Sequence, residues 1–145
     1  MTAETTTKTG EDKLRLRRVL VVEDDPVLGI ATEETLRDCG VSEVEVCATT
    51  DGALEALSRD PPDAVILDVH LADRDDGWAI AELIETLGAN RPVIVFSTGT
   101  PDAIPPHIAE LGSVLEKPYT SNRLIAALRE PCRKGLLARL KTALR

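Results

Sequence analysis

Short, nearly unbroken apolar runs alternate along this chain with stretches that repeat apolar residues every three to four positions. That alternation is the strongest constraint on its fold. A strand that is apolar at successive positions has no polar face to offer water, so it must be covered on both sides. Intervening helices supply both the cover and the return path that parallel strands require. The pattern predicts an α/β fold built on a doubly wound five-stranded parallel sheet. The strands fall at Val19–Val22, Val44–Ala48, Ala64–Leu67, Val93–Phe96 and Ser113–Leu115. The second differs from the rest, because "SEVEVCA" alternates Val44, Val46 and Ala48 with Glu43, Glu45 and Cys47. It reads as a half-exposed edge strand.

Helices are predicted over Val27–Asp38, Gly52–Ser58 behind a Thr50 or Asp51 cap, Trp78–Leu87, and Arg123–Arg129 behind Ser121 or Asn122. Between the fourth and fifth strands, the pair Pro105-Pro106 cannot sit inside a helix, so a short one is predicted from Pro106 to Leu111. Residues 1–18 form a polar tail and lead-in, with about the first sixteen threonine-rich and mobile. Residues 19–130 form one domain. Residues 131–145 open with a proline and space Leu136, Leu137, Leu140, Ala143 and Leu144 on one face, which predicts an additional basic amphipathic helix.

The composition narrows the chemistry. With one Phe, one Trp and one Tyr among 43% apolar residues, the core must be aliphatic. The last fifteen residues hold five basic side chains and no acid, although the whole chain carries a net charge of -8. An acidic body of this kind disfavours DNA as its ligand and suits cations or basic protein surfaces. Cys39, Cys47 and Cys132 lack metal-site spacing and are odd in number, so they read as small hydrophobes of a reducing compartment. No apolar run approaches the roughly eighteen residues of a membrane span, and "MTAETTTKTGEDKLRLRR" lacks the apolar middle of a signal peptide. A cytoplasmic location, away from membranes, is expected.

Ligands of doubly wound sheets bind beyond the carboxyl ends of the strands, so the informative residues are those that follow each strand. Strand one delivers Glu23-Asp24-Asp25, strand three Asp68, strand four Ser97 and Thr98, and strand five Lys117-Pro118. Acids, hydroxyls and a lysine on one edge suit phosphoryl transfer to a carboxylate. Asp68 would be the nucleophile, since a carboxylate can form an aspartyl phosphate. Mg²⁺ held by Asp24 and Asp68 directly, and by Glu23 through water, would offset the charge of the transferring group. Lys117 and Ser97 would take the remaining phosphoryl oxygens.

These residues resemble the response regulator receiver domain of two-component signalling. The motifs are the acidic pair Glu23-Asp24, "VILD" ending in Asp68, "VFST" at 95–98 and "KP" at Lys117-Pro118; they run in order across residues 19 to about 130. The resemblance implies strand order 2-1-3-4-5, the flavodoxin-like arrangement. It also implies Mg²⁺-dependent phosphorylation of Asp68 by a histidine kinase or phosphotransfer protein, with the backbone carbonyl of His70 completing the metal shell. Three departures stand out. The loop "DVHLADRDDG" lacks the family's common proline and is a residue longer than usual before Gly77. The switch hydroxyl is Ser97 if counted from Pro92 and Thr98 if matched to the family's Thr-Gly pair. Val114 stands where many members carry a switch aromatic, so the usual coupling of hydroxyl to aromatic is not expected here.

Simpler roles account for other residues. Asp25 before Pro26 reads as a helix cap rather than a metal ligand. His70 reads as a loop residue whose backbone matters, and His107 as a surface residue. The final helix covers the body, or offers a partner or homodimer surface. The leading expectation is a stand-alone phospho-acceptor that signals through an unidentified downstream protein and is not itself an enzyme. The alternative is a phosphorylation-independent, receiver-like adaptor. A phosphohydrolase is a third reading, opposed by His70 where a second acid would be needed.

Overall fold

β1 (Arg18–Val22) is buried at all five positions and forms the centre of the sheet, flanked by β2 (Glu43–Cys47) and β3 (Ala64–Asp68). β4 (Val93–Thr98) and β5 (Ser113–Glu116) extend it on the far side of β3, and every pairing is parallel. The order is β2-β1-β3-β4-β5, the predicted flavodoxin-like doubly wound arrangement. The computed structural model describes residues 14–70, 78–88 and 91–129, with the Trp78 side chain excepted. Its helices are α1 (Pro26–Asp38), α2 (Thr50–Arg59), α3 (Trp78–Glu85), α4 (Pro106–Ala109) and α5 (Ser121–Arg129), with a 3-10 turn at Pro101–Ala103.

Alternation along the strands sorts the core into two layers. Leu20, Val22, Leu67 and Phe96 face Ala53, Ile80 and Ile108, so this side is covered by α2, α3 and α4. Val19, Val21, Ile66, Val95 and Leu115 face Leu36, Leu124 and Leu128 beneath α1 and α5. Among the described residues, the fully buried core is aliphatic apart from Phe96, in keeping with the composition.

Local chemistry fixes the helix ends. Asp25 caps α1 as expected, its carboxylate accepting from the backbone N–H groups of Val27 at 2.9 Å and Leu28 at 3.3 Å. The cap of α2 is Thr49 rather than Thr50 or Asp51, with Thr49 Oγ1 accepting from the Gly52 N–H. α5 begins two residues before its predicted start, because the Thr120 hydroxyl accepts from the Arg123 N–H and closes the first turn.

Both edges depart from the simple strand pattern. In β2 Val46 is exposed, whereas Glu45 is half-buried. Arg18, buried at the start of β1, bonds Glu45 at 2.7 Å, and Arg59 adds a second contact at 3.0 Å. Hydrogen bonding from Arg18 holds the Glu45 carboxyl below its usual range. β5 is the opposite edge, and of its residues only Leu115 is buried. The lead-in also departs from a free tail: Leu14 is buried and its N–H bonds the Cys39 carbonyl at 2.9 Å. Cys39 is buried and Cys47 partly so. The predicted tail before Leu14, the loop 71–77, and the final helix with Cys132 lie outside the described residues. Among those described, no helix is long and apolar enough to cross a membrane.

Gly112 joins α4 to β5 where a Cβ would lie 2.3 Å from the Ile94 carbonyl oxygen. That oxygen belongs to β4 and cannot retreat without disturbing the sheet. Gly112→Ala should therefore destabilise the fold by about 1–3 kcal/mol, the usual range for overpacking. Urea unfolding would measure it, and wild-type stability would refute the clash.

Candidate functional site

All the residues picked out at strand ends meet at the carboxyl edge of the sheet. Glu23, Asp24 and Asp68 bring carboxylate oxygens within 4.8 Å of one another. Glu23 and Asp68 are buried, and the Lys117 ammonium lies 3.2 Å from Glu23 Oε1 and 3.4 Å from Asp68 Oδ2. The His70 N–H donates to Asp68 Oδ1 at 3.0 Å, and the Asp25 N–H donates to Glu23 Oε2 at 3.3 Å. One lysine thus links two buried acids contributed by different strands.

Register separates the two hydroxyls. Ser97 is the Cα partner of Asp68 across the β3–β4 ladder. Directly paired residues of neighbouring strands share a face, so both project with Val95 and Ile66 toward the α1–α5 layer. Thr98, one residue on, belongs to the other face. Its Oγ1 accepts from the Thr100 N–H at 2.9 Å, and Thr100 Oγ1 in turn lies 3.0 Å from His70 Nε2. Thr100, held by Thr98, therefore ties together the loops after β3 and β4, whereas Ser97 is paired with Asp68. Ser97 Oγ donates instead to the Tyr119 hydroxyl at 3.3 Å. Neither Tyr119 nor Thr100 was expected from the sequence. Tyr119 is the chain's single tyrosine and follows Lys117 by two positions, a signal that spacing alone does not translate into contact.

Crowding of acids sets the electrostatics. Burial pushes Glu23 up to about 7, helped by a hydrogen bond and charge repulsion from Asp68; the Lys117 charge acts in the opposite direction. Burial alone would lower Lys117, but the charges of Asp68 and Glu23 outweigh it and its pKa is raised. For Glu23 the sign follows directly. An acid whose pKa is higher when folded binds its proton more tightly in the native state, so its contribution to stability is complete below about 4.5 and is lost as pH rises through about 7.

Hard oxygen donors in this number suit Mg²⁺, which is commonly held by one or two carboxylates together with waters and phosphate oxygens. Asp24, the half-exposed member of the three, leaves the cluster open to solvent on one side. The donor set therefore fits such an ion.

A doubly wound sheet carrying an acid cluster, a lysine and a hydroxyl at its carboxyl edge defines the class of receiver-type signalling domains. The profile of the response regulator receiver domain matches residues 19–129, and the chain belongs to that family. It is 31% identical over 121 residues to the response regulator MprA of Mycolicibacterium vanbaalenii, covering 81% of this chain and 51% of that protein. A putative NtrX-like response regulator of Rickettsia felis is 31% identical over 124 residues, covering 83% of this chain and 26% of the relative. The chain thus spans about half, or less, of the length of these relatives. Among solved structures, a CheY-like receiver domain from Methylobacillus flagellatus matches with a TM-score of 0.66 at 28% identity, covering 79% of this chain and 93% of that one. The PhyR stress response regulator matches with a TM-score of 0.64 at 27% identity, covering 80% and 44% respectively.

Proposed function

We propose that this receiver domain accepts a phosphoryl group on Asp68 and signals by changing its protein contacts. The observation that carries the reading is the arrangement around Asp68: Lys117 lies 3.4 Å from its Oδ2, and Ser97 is paired with it on the same sheet face. In the reaction, a carboxylate oxygen of Asp68 attacks phosphorus and the bond from phosphorus to the donor's leaving group breaks, the electron pair departing with that group. Lys117 pairs with one phosphoryl oxygen. Ser97, rather than Thr98, donates its hydroxyl to another. Asp24 and Asp68 would hold Mg²⁺ directly, with Glu23 acting through water and the His70 carbonyl as a further ligand. Bound there, the ion would neutralise charge on the transferring group.

The natural donor would be a histidine kinase or a phosphotransfer protein, in keeping with the family. Intact-protein mass after incubation with acetyl phosphate tests the reading. A single phosphate adduct that requires Mg²⁺ is expected. No adduct from acetyl phosphate or from a cognate kinase, in a folded protein, would overturn it in favour of an adaptor that works without phosphorylation.

The raised Glu23 pKa makes metal binding pH-dependent. A proton held by Glu23 must leave before its charge can assist the ion. Mg²⁺ affinity should therefore rise with pH up to about 7 and level off above it, with a limiting slope of about tenfold per pH unit for one displaced proton. Calorimetric titration between about pH 6 and 8 would measure this, and an affinity that does not change across that interval would contradict it.

A further inference from the structure

The hydroxyl beside Asp68 is already engaged, and its partner is an aromatic residue of the β5–α5 connection. Ser97 is 1% exposed, and its Oγ donates to the Tyr119 hydroxyl. Tyr119 packs against the core layer under α1 and α5, the same face to which Asp68 and Ser97 project. It also lines a groove of about 230 Å³ with Leu28, Ala31, Thr32 and Leu124, between α1 and α5. Val114 belongs to the other face, because it pairs with Phe96, and it is exposed at the sheet edge.

We infer that Tyr119 is a positioning residue that carries the phosphorylation state of Asp68 to the groove between α1 and α5. The inference rests on the phospho-acceptor reading. A serine hydroxyl has one proton to donate. At 3.3 Å its bond to Tyr119 is long for two hydroxyls, whereas a bond to an anionic phosphoryl oxygen is charge-assisted and stronger. When Ser97 turns to the phosphoryl group, Tyr119 loses its donor, and its phenol reorients toward a partner in the groove or toward water. The change emerges between α1 and α5, the layer that Ser97 faces, and not on the side where Val114 stands.

The experiment uses the whole chain labelled at tyrosine Cζ and at the Leu and Ala methyls, with acetyl phosphate and Mg²⁺ as the probe. Because the chain has one tyrosine, its Cζ signal reports Tyr119 alone. Formation of the adduct, read independently by mass, should shift this signal together with the methyls of Leu28, Ala31 and Leu124. Ser97→Ala should move the resting tyrosine signal toward the phosphorylated position and leave little further shift on phosphorylation. Tyr119→Phe should form the adduct yet lose the methyl shifts. A phosphorylated protein with an unmoved tyrosine signal, or a Tyr119→Phe variant with undiminished methyl shifts, would overturn the relay while leaving the phospho-acceptor reading intact. Failure to form any adduct would overturn both.

Discussion

Asp68→Asn is expected to abolish the phosphate adduct while leaving the fold in place. The amide has nearly the same shape as the carboxylate and can still accept the His70 N–H, but it is a poor nucleophile. No other acid in the cluster is equivalent: Asp24 is half-exposed, and Glu23 is held largely protonated below about pH 7. The substitution has a second consequence, independent of phosphorylation. Part of the rise in the Glu23 pKa comes from hydrogen bonding and charge repulsion by Asp68. Asn removes the charge, so the Glu23 titration should move to lower pH, while burial keeps it above the usual range. Carboxyl ¹³C chemical shifts would follow it. Labelling at the wild-type level would refute the acceptor assignment, and an unmoved Glu23 titration would refute the coupling.

The second large effect concerns Lys117. Its ammonium lies within 3.4 Å of both buried acids, and Lys117→Ala leaves them facing each other without a cation. Removing one partner of a fully buried ion pair costs about 3–5 kcal/mol. Lys117 is partly exposed, so solvent screens the loss and about 1–3 kcal/mol is expected in metal-free protein. The loss should grow above about pH 7, where Glu23 ionises, and shrink in Mg²⁺, which supplies the missing charge. Urea unfolding in chelator and in Mg²⁺ measures both dependences. Equal stability of variant and wild type in chelator would show that the contacts contribute nothing. The variant should also fail to relay phosphorylation, because the phosphoryl group loses the cation that orients it.

The two predictions concern different roles at one edge of the sheet. Asp68 is the proposed acceptor, and Lys117 pairs with both buried acids in the protein as it stands. The opposite edge carries a comparable density of charge without that character. There Arg18 is surrounded by Glu43, Glu45 and Asp60, and its backbone and that of Arg17 bond the Asp63 carboxylate. Acids there are paired with arginines at the amino ends of the strands, and among the described residues no acid group that could hold a metal forms there.

Much of the fold was legible because burial acts locally on the sequence. Apolar runs such as "VLVV" and "AVIL" can be satisfied only inside a two-sided sheet, and their boundaries agree with β1 and β3 to within a residue. Asp25-Pro26 announced the start of α1, since a cap and a proline act on neighbouring backbone groups. Errors arose where a distant residue intervened. Glu45 is held at the sheet edge by Arg18, twenty-seven positions away. Leu14 lies in a polar stretch, yet its backbone finds Cys39 and its side chain finds the core.

For the site, residue types and order along the chain were enough to bring Glu23, Asp24, Asp68, Lys117 and the pair Ser97-Thr98 to one edge, because strand ends of a doubly wound sheet converge by topology alone. The choice between Ser97 and Thr98 was not available from the sequence, since adjacent positions of a strand differ only in the face they occupy. Pairing favours Ser97 in the proposed role: β4 lies in register with β3 so that Ser97 stands opposite Asp68. The contact between Ser97 and Tyr119 spans twenty-two positions and depends on how the β5–α5 connection folds back over the sheet edge. Hydrophobic pattern and backbone propensity are short-range properties that one strand or helix expresses by itself, so the sequence determined the elements, their order and the acids at their ends. Register and side-chain contact exist only after those elements pack, and the tertiary structure alone decided which hydroxyl faces Asp68 and which aromatic receives it.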